Sequence, residues 1–99
     1  MSFFQVTASE LRSKANALQD LNHQFGTKSE ELEEKENSLC SMWEGQAKDA
    51  FHYAFLKDKQ QMEVFRGLVD RYVQTLMEIA ARYEEAEARN AELAASRSY

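Results

Sequence analysis

The residues best suited to covalent or metal chemistry in this 99-residue chain are one cysteine, Cys40, and two histidines, His23 and His52. Cys40 and His52 flank a short segment near the middle of the chain, as a thiol nucleophile and its general base would. No third group is apparent in the sequence to orient His52, and a chain this short encloses little volume for a pocket. The spacing of the three residues also matches no zinc-binding pattern. The sequence therefore predicts no enzyme activity, no cofactor and no metal site.

The amino-acid composition is that of a helical protein. Proline is absent and glycine occurs three times. The commonest residues, such as alanine, leucine, glutamate and lysine, lose little on entering a helix. We expect a single all-α domain over residues 1–99.

The charge balance narrows the range of partners. Seventeen acidic residues against twelve basic ones give a net charge of −5, which repels nucleic acid and anionic membranes. The N-terminal residues lack the basic segment and long apolar run of a cleavable signal peptide. No stretch approaches the roughly 18 apolar residues of a membrane span. We therefore expect no nucleic-acid partner.

A first helix is predicted over residues 8–40. It begins with a capping box, in which Thr7 and Glu10 satisfy exposed backbone donors at the helix start. Every seventh residue is then large and apolar: Leu11, Leu18, Phe25, Leu32 and Leu39. The companion row is weaker and holds Ala15, Asn22, Ser29 and Glu36. The first helix thus presents a narrow apolar stripe.

Gly26 is the one point at which the first helix could break. Glycine costs about 1 kcal/mol inside a helix, and Thr27 begins a second possible capping box. A break would reset the heptad count, but the large apolar row keeps its phase through residues 25–39. The pattern therefore favours one continuous helix.

A second helix, predicted over residues 46–94, carries the stronger apolar pattern. Alternating steps of four and three from Phe51 reach large apolar residues at nearly every position. Leu68, Val73 and Ala80 flank this row, so the apolar face is wider than one partner helix covers. The surplus indicates a second helical partner.

The connection over residues 41–45 is so short that the two helices must form an antiparallel hairpin. One seam does not offset the ordering cost of such a chain, so we predict that two hairpins dimerise into a four-helix bundle. The second helix is the longer one, and we expect it to overhang the first from about Ile79, with a disordered tail over residues 95–99. The residues predicted to line the hairpin seam and the dimer are Leu11, Leu18, Phe25, Leu32, Leu39, Phe51, Phe55, Phe65, Leu68, Val69, Tyr72, Leu76 and Ile79.

Trp43, Glu44 and Gly45 form a Trp-X-Gly sequence in this connection. We expect Trp43 to close the end of the seam as an apolar plug, and Gly45 to supply a positive φ before the second helix. A Tyr-x-x-x-Glu sequence, Tyr83 to Glu87, lies in the last part of the second helix. In a Pro-free helical chain of about a hundred residues, these motifs closely resemble the WXG family of small proteins exported by type VII (ESX-type) secretion systems.

The resemblance covers essentially the whole chain and implies export as a folded helical-hairpin dimer through a membrane-anchored secretion ATPase. The partner would be a second copy of this chain or a similar hairpin subunit. The family places the Trp-X-Gly turn of one subunit beside the Tyr-x-x-x-Asp/Glu motif of its partner as a composite export signal. Here those roles fall on Trp43, Gly45, Tyr83 and Glu87. The implied location is cytoplasmic before export and extracellular afterwards.

Two other functions stay open on the sequence. The hairpin could pair with the helical N-terminal region of a larger secreted toxin and act as its escort. It could also insert its amphipathic helices into membranes, although the net negative charge and the absence of a basic polar face oppose this.

Overall fold

The computed structural model describes residues 6–96, which form two long helices, α1 (Ala8–Ser41) and α2 (Gln46–Ser96). The helices pack as an antiparallel hairpin with overall dimensions of 84 × 21 × 17 Å. The predicted all-α hairpin is confirmed. Neither helix has an apolar stretch long enough to cross a membrane within the described residues.

The ends of the helices lie close to their predicted positions. Thr7 caps α1, and its hydroxyl accepts a hydrogen bond of 3.1 Å from the backbone N–H of Glu10. At their C-terminal ends, α1 extends one residue further than predicted and α2 extends two residues further. The prediction of a disordered tail is therefore wrong for residues 95 and 96, which are helical, while residues 97–99 lie outside the described residues.

The helix α1 runs through Gly26 without a break, as predicted. Gly26 is buried because the side chain of Arg66 crosses α1 at this point. A Cβ atom at position 26 would lie 2.5 Å from the Arg66 guanidinium carbon. The glycine therefore provides room for Arg66, which outweighs its low helix propensity.

The hairpin seam is built on small and polar residues rather than on the large apolar row. The buried residues of α1 that recur every seventh position are Ala8, Ala15, Asn22, Ser29 and Glu36. On α2 the buried residues are Val73 and Ala80, and they belong to a row of the same spacing: His52, Lys59, Arg66, Val73, Ala80 and Glu87. Small side chains allow close helix packing, so the row that looked weaker in the sequence is the one that lines the seam.

The large apolar rows flank the seam on one side, and we call this side the apolar flank. It comprises Leu11, Leu18, Phe25, Leu32 and Leu39 of α1 with Phe51, Phe55, Phe65, Val69, Tyr72, Leu76 and Ile79 of α2. Phe25 and Phe65 meet across it with ring centroids 5.4 Å apart. The side chain of Tyr72 is nevertheless 60% exposed, and Phe65 is 51% exposed. Within one chain these residues therefore flank the seam rather than fill it, and their part in a dimer stays a prediction.

The opposite side of the seam, which we call the charged flank, is closed by polar contacts within the chain. Arg12 pairs with Glu84, and Lys59 pairs with Glu33. On α1 these charged residues lie in the row next to the apolar flank, because Arg12 follows Leu11 and the row continues through Gln19, Gly26, Glu33 and Cys40. The two flanks of one seam thus have opposite chemistry.

The register of the two helices is fixed by polar side chains in the seam. The Asn22 amide donates to the backbone carbonyl of Arg66 at 3.1 Å and to the Asp70 carboxylate at 2.8 Å. Such bonds are satisfied at one alignment only, as with single polar residues in coiled coils. At the far end, Ala80 is fully buried against α1 and Glu87 reaches Ala8. The predicted overhang from about Ile79 is therefore wrong, because α2 stays paired with α1 as far as Glu87.

Candidate functional site

The turn between the helices has the backbone and the packing that its sequence predicted. Gly45 has a φ of +114°, which a residue with a Cβ atom adopts only under strain, and its carbonyl accepts the N–H of Asp49 at the start of α2. The half-buried ring of Trp43 lies 5.8 Å from that of Phe51, between centroids. The positive φ of Gly45 is thus confirmed, and Trp43 packs against the first turn of α2.

A cluster of three reactive side chains lies immediately beside this turn. One oxygen of the Glu36 carboxylate contacts both neighbours. It lies 2.6 Å from Nδ1 of His52 and accepts a hydrogen bond of 3.1 Å from the thiol of Cys40. Glu36 is 4% exposed, whereas Cys40 and His52 are half-buried. The expectation that no third group accompanies Cys40 and His52 is therefore wrong.

The electrostatics of this cluster do not favour a nucleophilic thiol. The hydrogen bond from His52 is the main reason that the pKa of Glu36 is lowered, against an opposing effect of burial. The hydrogen bond to Glu36, followed by burial, raises the pKa of Cys40. An activated cysteine needs the opposite shift and a base that takes its proton. The thiol of Cys40 instead donates a hydrogen bond to the carboxylate of Glu36. The cluster therefore offers metal-ligand atoms and not a nucleophile with its base.

Sequence reasoning missed Glu36 because it belongs to the row that was read as the weaker one. The signal was present in the spacing, since Glu36 and Cys40 are four residues apart and share one helix face. His52 joins them only because the turn places the start of α2 beside the end of α1.

The other predicted site residues lie at the opposite end of the hairpin. Tyr83 is 44% exposed at the edge of the apolar flank. The carboxylate of Glu87 accepts a hydrogen bond of 3.4 Å from the backbone N–H of Ala8, at the start of α1. An acidic group at a helix N-terminus is favoured by the helix dipole. Glu87 therefore has a structural contact within its own chain.

The structure does not bring the two halves of the predicted export signal together within one chain. Gly45 and Tyr83 lie near opposite ends of α2, which places them about 57 Å apart at 1.5 Å per residue. The apolar flank extends along the hairpin between them. Its exposed members are Leu32, Leu39, Phe51, Phe65 and Tyr72.

The chain thus combines a hairpin of two long helices with a Trp-X-Gly turn, and this combination is typical of one class of small all-helical proteins. The chain belongs to the WXG100 family, described as proteins of 100 residues with WXG, which it matches over residues 4–88. Among curated proteins, none matches the chain significantly.

The fold is similar to that of solved structures of the secreted protein EsxB from Bacillus anthracis strain Sterne. The wild-type crystal structure is 24% identical, with a TM-score of 0.75, and the match covers 84% of this chain and 89% of EsxB. A selenomethionine-labelled form is 23% identical, with a TM-score of 0.78, and the match covers 88% of this chain and 99% of EsxB. The similarity extends over both helices and shows a shared hairpin fold.

Proposed function

We propose that this protein is a small substrate or secretion partner of a type VII secretion system, exported as a folded dimer and acting by protein binding without catalysis. Its membership of the WXG100 family and its structural similarity to a secreted protein support this function. The observation that carries the proposal is the exposed apolar flank, which runs between the two separated halves of the export signal.

The apolar flank needs a second helical surface. Aromatic rings such as Phe65 and Tyr72 are more than half exposed in a single hairpin, and their burial is favoured by about 25 cal/mol per Å² of apolar surface. The occupant that fits best is a second copy of this chain, because a two-fold interface uses the same patch on both subunits. Two hairpins joined in this way form a four-helix bundle.

An antiparallel arrangement of the two copies completes the export signal. It places the Trp43 and Gly45 turn of one subunit beside Tyr83 and Glu87 of the other. The secretion ATPase then reads a surface that exists only on the dimer. This explains why the two motifs can lie at opposite ends of one hairpin and still act together.

The proposal is tested by measuring export from a cell that carries the matching secretion system. Tyr83→Ala is expected to abolish appearance of the protein in the medium while the cytoplasmic dimer stays folded. Glu87→Gln should likewise block export. It tests the charge alone, because glutamine keeps an oxygen that can accept the hydrogen bond from the backbone N–H of Ala8.

A matched control for these variants is Glu92→Gln, since Glu92 is exposed and lies on α2 beyond the start of α1. It should be exported normally. Normal export of both Tyr83→Ala and Glu87→Gln would contradict the assignment of the signal. If a larger protein with a helical N-terminal region co-purifies from the native locus in place of a second copy, the escort function replaces the homodimer.

A further inference from the structure

We propose that Glu36, Cys40 and His52 form a zinc-binding site that links α1 to α2 at the closed end of the hairpin. The three residues supply one oxygen, one sulfur and one nitrogen, and these ligand atoms all lie within 4.8 Å of one another. The proposal is independent of the secretion function, because it rests on side chains that the export signal does not use.

The distances suit a tetrahedral ion after a small adjustment. The Glu36 carboxylate is 3.1 Å from the Cys40 sulfur and 2.6 Å from Nδ1 of His52. Zinc bonds of about 2.0–2.3 Å place neighbouring tetrahedral ligands roughly 3.3–3.6 Å apart. Side-chain rotations that move the ligand atoms by about 1 Å therefore open the hydrogen-bonded cluster to an ion.

The carboxylate of Glu36 provides a second, independent observation. The Glu36 side chain is 2% exposed, and its Oε2 atom is buried without a hydrogen-bond partner. A buried carboxylate with an unpaired oxygen is costly, and a cation beside it removes that cost. The orphaned oxygen lies in the same carboxylate that contacts both other ligands.

The donor set favours zinc over other common divalent ions. A thiolate and an imidazole nitrogen are ligands that Zn²⁺ prefers, whereas Mg²⁺ and Ca²⁺ take oxygen ligands almost exclusively. Binding requires the thiolate, so the ion displaces the proton of Cys40 to solvent and coordinates neutral His52. Three protein ligands leave a fourth position for a water molecule.

The place of the site in the fold determines its effect. Glu36 and Cys40 lie four residues apart on the last turns of α1, and His52 lies on the second turn of α2. Cys40 belongs to the row of the charged flank, so the ion enters from the side that a dimer on the apolar flank leaves open. Zinc would thus link the two helices beside the Trp43 turn. Because it binds the folded chain, it would stabilise that state by mass action.

The test uses the full chain, freed of metal by a chelator and titrated with Co²⁺ as a spectroscopic substitute for Zn²⁺. One Co²⁺ should bind per chain and produce thiolate-to-cobalt charge-transfer absorption that added Zn²⁺ abolishes. Zinc should also raise the midpoint of thermal unfolding. Absence of the charge-transfer band in the unmodified chain would overturn the proposal.

Variants assign the ligands. Cys40→Ser should abolish the band, and His52→Gln and Glu36→Gln should weaken binding by more than the roughly 10–100-fold that removal of an outer-shell partner costs. His23→Gln is the matched control, because His23 is exposed on α1 outside the cluster, and it should bind as the unmodified chain does. Far-ultraviolet circular dichroism checks folding. If Glu36→Gln unfolds the hairpin, the test relies on His52→Gln, because His52 is half-exposed and its substitution should leave the fold intact. An unchanged affinity of His52→Gln for cobalt would contradict the site.

Discussion

The two flanks of the hairpin seam differ in chemistry although their residues are neighbours in the sequence. Leu11 belongs to the apolar flank, while the next residue, Arg12, pairs with Glu84 on the charged flank. The charged flank makes its interactions within the chain, but the apolar flank leaves aromatic side chains exposed. Small and polar residues therefore close the hairpin, whereas the large apolar residues stay partly exposed in a single chain and are available to a second molecule.

The largest expected effect comes from placing a charge on the apolar flank. Phe65→Asp should weaken the dimer by about 2 kcal/mol or more, roughly thirtyfold in dissociation constant, since a buried aromatic anchor is lost and a charge is desolvated. Sedimentation equilibrium measures the constant. Leu56→Asp is the matched control, because Leu56 is 42% exposed on the other side of α2. Equal dissociation constants for the two variants would show that the dimer does not form on the apolar flank.

The seam itself should be sensitive to added volume. Ala80 is fully buried between the helices, so Ala80→Leu should destabilise the hairpin by about 1–3 kcal/mol through overpacking. Urea unfolding at fixed protein concentration reports the change. Ala81→Leu, one residue along on an exposed position, should leave stability almost unchanged. A similar loss in both variants would show that the helices do not approach closely at Ala80.

Two glycines of the helices give a smaller contrast. Nothing lies within 4 Å of a Cβ atom at Gly67, so Gly67→Ala should stabilise α2 by about 0.5–1 kcal/mol. Gly26→Ala gains the same helix propensity but displaces the Arg66 side chain, so its net gain should be smaller or negative. Thermal unfolding of both variants measures the difference. Gains of equal size would mean that Arg66 does not need the space above Gly26.

The smallest effect is expected on the charged flank, at the exposed pair of Arg12 and Glu84. The hydrogen bond from Arg12 lowers the pKa of Glu84 below its ordinary value of 4.5. The unfolded chain then binds more protons near this pH, so the pair stabilises the fold above pH 4.5 and the stabilisation is lost as the pH falls through the lowered pKa of Glu84. Solvent and salt screen such a pair.

The measurement for this pair is the pH dependence of the unfolding midpoint below neutrality. Glu84→Gln should flatten the dependence slightly in acid, and Glu92→Gln should not. An identical acid profile in the unmodified chain and in Glu84→Gln would show that the pair contributes nothing to folding.

The sequence predicted the local features of the fold well. The start of α1 at Thr7, the positive φ of Gly45 and the continuity of the helix through Gly26 all follow from local propensity and from the phase of the apolar row. The large apolar row was identified correctly as a set. How the row divides between the hairpin seam and a dimer was left open, because an apolar heptad row marks a face to be buried without saying which molecule buries it.

The features that could not be predicted depend on how the two helices align. The seam row of Ala15, Asn22 and Glu36 carries no apolar signal, and its burial follows from close packing of small residues. Glu87 meets Ala8 only through the alignment of the two helices along the seam. For the same reason the contact of Glu36 with His52 was invisible in the sequence, since the two residues lie on different helices.

The most direct test of the central claim is energy transfer between two copies of the chain. A donor is attached at Glu44→Cys in one preparation and an acceptor at Glu85→Cys in another, both in a Cys40→Ser background, and the chains are refolded together. These positions lie about 60 Å apart within one chain at 1.5 Å per residue. We predict efficient transfer between them and little when both labels are at position 44. Transfer between two labels at position 44, or none in either mixture, would contradict an antiparallel dimer on the apolar flank.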